Sequence, residues 1–193
     1  MKRWSGQLFP LILLGLLAAL SFWLERAVDL PEGRHDGKER HDPDTVVENF
    51  TVRRLDETGD LKYRLIAPYM EHYPDDDSSL LKNPTIVYYR PNAPEMTISS
   101  RQAFSTSKGT VVFFWDDVVA TRDATAERPA MSAQMPDLIV EPDAGTGFTQ
   151  SPVEIRQGAS WLKGVGMTLD NNISTFALQS QVTGLYFSPK APQ

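Results

Sequence analysis

The chain has 193 residues, a formal charge of −6, an isoelectric point near 5.1 and no cysteine. Without cysteine there is no disulfide framework, thiolate metal site, thiol nucleophile or cysteine-linked lipid, and the acidic balance argues against a nucleic-acid groove, which needs a basic patch. The 41% hydrophobic content is ordinary for one globular domain, but it is unevenly spread along the chain.

Residues 1–24 read as a basic tip and a membrane anchor. Met1-Lys2-Arg3 is followed by LFPLILLGLLAALSFWL from Leu8 to Leu24, with no charge. Trp4 to Leu24 is long enough to span about 31 Å as a helix at ~1.5 Å per residue, close to a hydrocarbon core of ~30 Å. Trp4 and Trp23 stand at the two ends, where indoles favour the interface, and Pro10 falls in the first turn. Lys2 and Arg3 before the span, and Glu25, Arg26, Asp29 and Glu32 after it, orient the N-terminus to the cytoplasm. The rival reading is a cleaved signal peptide, with Ala19 and Ser21 at positions −3 and −1. The length of the apolar run favours the anchor.

Residues 25–44 form a charged linker. Pro31, Gly33, Gly37 and Pro43 break it, and eleven of its twenty residues are Asp, Glu, Lys or Arg. From Thr45 the texture changes to period 2, as in Tyr63–Ala67, Thr85–Tyr89, Thr110–Trp115, Leu138–Val140, Val153–Ile155 and Phe176–Leu178, continuing through Val182 to Phe187. Turn clusters recur at Glu57–Asp60, Asp75–Ser78, Arg90–Pro94, Lys108-Gly109, Pro142–Gly145 and Asp170–Asn172. The pattern predicts an all-β domain over 45–188, a tail over 189–193, and no long helix after residue 25. Met96, Met131 and Met167 each open a similar Met-[Thr/Ser]-apolar-polar string, at spacings of 35 and 36, which suggests a repeated strand-pair unit.

Candidate chemistry is sparse. His35 and His41 lie in the acidic linker, and His72 lies beside Asp75-Asp76-Asp77. A floppy arm does not preorganise a metal site, and no EF-hand spacing follows His72, so a satisfied turn histidine is the expectation. No zinc-protease, nucleophile-elbow or phosphate-loop motif occurs. Gly164-Val165-Gly166 reads as a bulge. Asp116 and Asp117 are neighbours, and neighbours on a regular strand face opposite ways, so they are not expected to share a site. The chain is read as a non-enzyme with no cofactor and no metal. The alternating apolar rows suit either a closed core or an open groove for an apolar ligand, and pattern alone does not choose.

Asp56-Glu-Thr-Gly59, Tyr63-Arg-Leu-Ile-Ala67, Glu71–Asp77, Asn83-Pro84 and Lys163-Gly-Val-Gly-Met167 together resemble the LptC family of lipopolysaccharide-export proteins. The Gly-x-Leu-x-Tyr-x-Leu-x-Ala string from Gly59 is the most specific part, and the likeness covers nearly the whole chain. The resemblance implies a single-pass inner-membrane protein with an open, OstA-like periplasmic β-jellyroll. It implies lipopolysaccharide as cargo, the permease and ATPase subunits of an inner-membrane ABC transporter as donors, and a periplasmic LptA-like bridge protein as acceptor. ATP hydrolysis would then belong to the partner, in keeping with the missing phosphate loop.

On that reading the groove lining is Tyr63, Leu65, Val87, Tyr89, Met96, Ile98, Val112, Phe114, Met131, Leu138, Val140, Ile155, Met167, Phe176 and Leu178. A one-residue slip would invert any strand. The partner-facing edge strands are Val46, Val47, Phe50 and Val52 towards the transporter, and Val182, Leu185, Tyr186 and Phe187 towards the bridge protein. Gly59 and Gly166 are read as turn or bulge positions.

Overall fold

A computed structural model describes residues 5–28, 41–91, 93–106, 109–126 and 128–187, with side chains of the N-terminal helix over 10–26. The basic tip, most of the linker with His35, and the tail lie outside the described residues. Helix α1 spans Ser5–Val28. Its described large side chains, Leu11 through Leu24, are all exposed. Among the described residues no helix is long and apolar enough to cross a membrane.

Eleven strands follow among the described residues: β1 Thr45–Leu55, β2 Leu61–Tyr73, β3 Ser78–Lys82, β4 Thr85–Tyr88, β5 Met96–Ser99, β6 Gln102–Ser105, β7 Val112–Arg122, β8 Met131–Glu141, β9 Thr146–Gln157, β10 Ser160–Asp170 and β11 Thr175–Leu185. All pairings are antiparallel. The all-β reading holds, and no α-helix follows Val28 among the described residues. Two long strands branch. One half of β2 pairs with β4 through Ile66, and the other pairs with β3 from Tyr69. Likewise β7 pairs with β6 through Trp115 and with β5 from Val119.

These branch points belong to one line of bends across the sheet. It runs through Asn49 in β1, Pro68 in β2, Asn83-Pro84 between β3 and β4, Ser100-Arg101 between β5 and β6, and Asp116-Asp117 in β7. It continues through Pro136 in β8, Pro152 in β9, Gly166 in β10 and Gln181 in β11. Local chemistry explains why the strands bend there. Pro lacks the ladder N–H. Asn49, Asp116, Asp117, Gly166 and Gln181 have φ of 51°, 64°, 61°, 76° and 52°, the left-handed region that a flat strand does not visit. Register shifts sit at the same places in β7, β8, β9 and β10. The line of bends divides the sheet into two leaves that share long strands along a spine. Leaf one carries β4, β5 and the residue 118–122 half of β7. Leaf two carries β3, β6 and the 112–115 half.

The inner faces of the leaves form one core. Phe114, Ala67, Val118, Leu138 and Ala103 have no exposed surface, and Ile86, Ile98 and Leu81 have 1%. Each large apolar side chain buried in this way contributes about 1.5–3 kcal/mol. With no disulfide in the chain, this packing and the ladders hold the leaves together.

Two sequence expectations change here. Asp116 and Asp117 do not face opposite ways as a regular strand would require. The left-handed bulge turns both towards Arg101, whose guanidinium lies 2.6 Å from Asp117 and 4.0 Å from Asp116. The Met repeat is not one structural position either. Met96 and Met131 flank Arg122 on leaf one, whereas Met167 pairs with Leu178 on leaf two.

Candidate functional site

The space between the leaves is the place where most of the expected lining residues meet. Met96, Ile98, Val112, Phe114, Met131, Leu138, Val140, Ile155 and Met167 belong to the buried cluster, and Tyr63, Leu65, Phe176 and Leu178 pack against it. Val87 and Tyr89 do not join it. Val87 is buried but pairs with Arg64 and Thr97 on the other face of leaf one. On β4 the inward residues are Ile86 and Tyr88, one position away from the expected pair. The slip arises because Thr85–Tyr89 is apolar or aromatic on both faces, so alternation gives no phase.

Opposite the spine the leaves end in turns, and here side chains rather than strands join them. Arg54 donates to the Asp143 carboxylate at 3.1 Å, and Lys62 Nζ donates to the Asp143 carbonyl at 2.6 Å. The Tyr63 hydroxyl reaches the same carboxylate at 3.5 Å. Arg90, beyond β4, donates to the Asn172 carbonyl at 3.1 Å and to the Ser174 hydroxyl. These contacts tie leaf one to the β8–β9 and β10–β11 turns of leaf two. Most are exposed, and each such bond adds about 0.5–1.5 kcal/mol or less. The joined edge is therefore a mouth held far more weakly than the spine.

A cleft of about 600 Å³ opens at this mouth, lined by Arg122, Arg128, Met131, Phe176, Tyr186 and Phe187 among others. Tyr186 and Phe187, expected on an edge strand, lie beyond the end of β11 and face this cleft instead; the Phe187 N–H donates to Ser160 Oγ at 3.0 Å. Tyr88, paired with Tyr63 and Met96 on leaf one, is 4% exposed, and its hydroxyl has no hydrogen-bond partner among the described residues. Burial pushes its phenol well above the ordinary value. Burial, then the Asp143 charge, also raises Tyr63.

Among the described residues the two outer edges are β1, which pairs only with β2, and β11, which pairs only with β10. Val46, Val52, Val182 and Leu185 are exposed there, while Val47 and Phe50 are half-buried. The entry to β1 is clasped to the β2–β3 turn. His72 bonds Asp44 at 2.8 Å through Nδ1 and Asp77 at 3.0 Å through Nε2. His41 bonds Asp75 at 2.9 Å and stacks on Tyr73 at 4.2 Å. Hydrogen bonds to the carboxylates raise both histidines above 6.5. His41, Asp75 and Asp76 bring ligand atoms within 4.8 Å of one another, but all three residues are exposed. Gly59, at φ +91°, sits in the β1–β2 turn, and Gly166 marks the β10 bulge.

A family model described as lipopolysaccharide-assembly, LptC-related, matches residues 11–187. The chain belongs to the LptC family. Among solved structures, this LptC-family chain is similar to LptH, the LptA-homologous periplasmic component of the lipopolysaccharide transport device of Pseudomonas aeruginosa. That likeness has a TM-score of 0.50 at 7% identity and covers 65% of this chain and 95% of LptH. At such identity it supports the fold alone, an antiparallel jellyroll of the LptA kind. No curated protein matches the chain.

Sequence reasoning missed the mouth. Asp143, Asn172 and Ser174 fall in stretches that signal only turns, and Arg54, Lys62 and Arg90 look like solvated charges. Their common signal is weak: basic residues at the ends of leaf-one strands, and polar turns at the ends of leaf two.

Proposed function

We propose that this chain is a membrane-anchored, non-catalytic subunit of lipopolysaccharide export. It receives the lipid's acyl chains between its leaves from an inner-membrane ABC transporter and passes them to an LptA-like bridge protein. One observation carries the reading. Two leaves with apolar inner faces are continuous along a spine, but only side chains close the opposite edge. Parting the leaves costs a few exposed hydrogen bonds plus core contact. Acyl chains entering the gap offset the lost contact at about 0.8 kcal/mol per buried methylene. The unpaired outer edges β1 and β11 are suited to strand addition by the transporter and the bridge protein respectively. The α1 apolar run, with Lys2 and Arg3 before it, supports a single-pass anchor with a cytoplasmic N-terminus and a periplasmic domain.

A photocrosslinker at Phe114 or Phe176 tests the groove. Adducts with lipopolysaccharide are expected from both. A folded protein giving no adduct from any inward position would overturn the reading. The second reading is an anchored scaffold with a permanently closed core, favoured by the complete burial of Phe114 and Leu138. It predicts that charged substitutions at these positions unfold the domain rather than only block transport.

A further inference from the structure

Strand β7 places Val118 and Ala120 inward, at 0% and 2% exposure, and the next inward residue is Arg122. Arg122 pairs with Met96 on one side and Met131 on the other, both core residues. The row across leaf one therefore reads Tyr63, Tyr88, Met96, Arg122, Met131. A guanidinium in an aromatic and thioether row is out of place in a closed apolar core. It is half-buried, and among the described residues it has neither a hydrogen bond nor an ion pair.

Two more arginines converge on it. Arg128 lines the mouth cleft together with Arg122, and Arg90 lines the pocket at its inner end together with Arg122; after burial, the charges of Arg128 and Arg90 push the Arg122 pKa down. No ion pair joins either of them to a carboxylate among the described residues; Arg90 spends its donors on a carbonyl and a hydroxyl, which neutralise nothing. Three like charges with no ion-paired carboxylate among the described residues repel one another, and an anion among them would relieve that repulsion. Beside them lie Met131 and Phe176 in the mouth cleft, and Met96 and Leu169 at its inner end. Two strands from Arg122, beyond Met96, the buried Tyr88 hydroxyl also lacks a partner among the described residues.

We infer that Arg90, Arg122 and Arg128 form an anion site at the mouth, taking the phosphate of a phosphorylated amphiphile whose chains enter between the leaves. Guanidinium suits this task, since its planar donors match phosphate oxygens in pairs. The site would set the depth and direction of the bound lipid, head at the mouth and chains towards Phe114. It rests on the groove reading above and adds a determinant for the charged head.

The test uses the full chain in nanodiscs of zwitterionic phosphatidylcholine, with a photocrosslinker at Phe176. Adduct yield is titrated with diphosphoryl lipid A, with dephosphorylated lipid A, and with inorganic phosphate as competitor. Half-saturation for the diphosphoryl lipid is expected at about tenfold lower concentration. Arg90→Gln with Arg122→Gln and Arg128→Gln should erase that ratio; the two lipids are compared on the same variant, so that loss of the Arg90 contacts across the mouth acts on both alike. The three Lys substitutions, which keep the charge but not the paired donors, should restore part of it. Arg122→Gln alone serves as a milder variant, with folding of every variant checked by circular dichroism. Equal half-saturation for the two lipids, or a ratio that survives the Gln substitutions, would overturn the anion site and leave the groove reading standing. Competition by inorganic phosphate as strong as that by the diphosphoryl lipid would overturn the amphiphile assignment. No adduct with either lipid from any inward position would overturn the groove reading itself, and this inference with it.

Discussion

Tyr88→Phe should stabilise the protein. The Tyr88 ring is 4% exposed, and its hydroxyl is buried with no hydrogen-bond partner. Its nearest aromatic neighbour is Tyr63, with ring centroids 5.8 Å apart. A buried unsatisfied hydroxyl costs about 1–3 kcal/mol. Removing one oxygen leaves the ring contacts intact and opens a void smaller than a methyl group, so most of that cost is recovered. For a domain of this size a kcal/mol moves Tm by about 2–4 °C, so a rise of roughly 2–8 °C is expected. The assay is thermal unfolding of the full chain in zwitterionic detergent, followed by circular dichroism. Tyr63→Phe is the control: its hydroxyl sits only 3.5 Å from Asp143 and at a half-buried site, so its Tm should hardly move. A fall of more than about 2 °C for Tyr88→Phe would refute the reasoning, because the hydroxyl would then have a favourable partner.

Further outcomes follow from other parts of the fold. His72→Gln should lower Tm by a few degrees at pH 5.5 and hardly at pH 9. The folded histidine's pKa is raised by Asp44 and Asp77, so its contribution is complete below about 6.5 and lost as pH rises through the raised value; equal losses at both pH values would contradict this. Asp44, held below its ordinary value chiefly by His72, contributes in the opposite sense, and its share is lost as pH falls through the depressed value. Gly184→Ala should loosen the end of β11, since a Cβ there would lie 2.6 Å from the Trp161 carbonyl oxygen. Amide exchange of Val182–Leu185 should quicken while that of β7 is unchanged, and unaltered exchange at β11 would count against the close approach. The mass of the mature protein should include residue 1; a product beginning at Phe22 would show a cleaved leader instead of an anchor.

Much of the fold was legible because the information is local. The change from a charged, Pro- and Gly-broken linker to period 2 at Thr45 marks where the β domain begins, and β1 does start at Thr45. Of the residues that alternation picks out on β7, β8 and β9, Val112, Phe114, Met131, Leu138, Val140 and Ile155 are all in the core. Alternation failed on β4, where Val87 faces away and Tyr89 falls beyond the strand's end, because a strand apolar on both faces has no readable phase. It failed at Asp116-Asp117, where two left-handed residues reset the alternation within one strand. That break also hid β7 as a single strand of eleven residues.

What the sequence alone determined is the set of ingredients: an apolar N-terminal run, alternating strands, an acidic chain without disulfides, and the motif strings of the LptC family. Only the tertiary structure decided that the bends in all the long strands fall on one line, so that a single sheet doubles into two leaves. Only it brought Asp143 to Arg54 and Lys62, and Arg122 to Arg90 and Arg128. The physical reason is range. Strand phase and turns are set by neighbours a few residues away, whereas the mouth is made by ends of strands that meet only after the whole sheet has folded over. The absence of cysteine thus has a structural counterpart: the closing edge is held by replaceable polar contacts, and no covalent bond stands in the way of its opening.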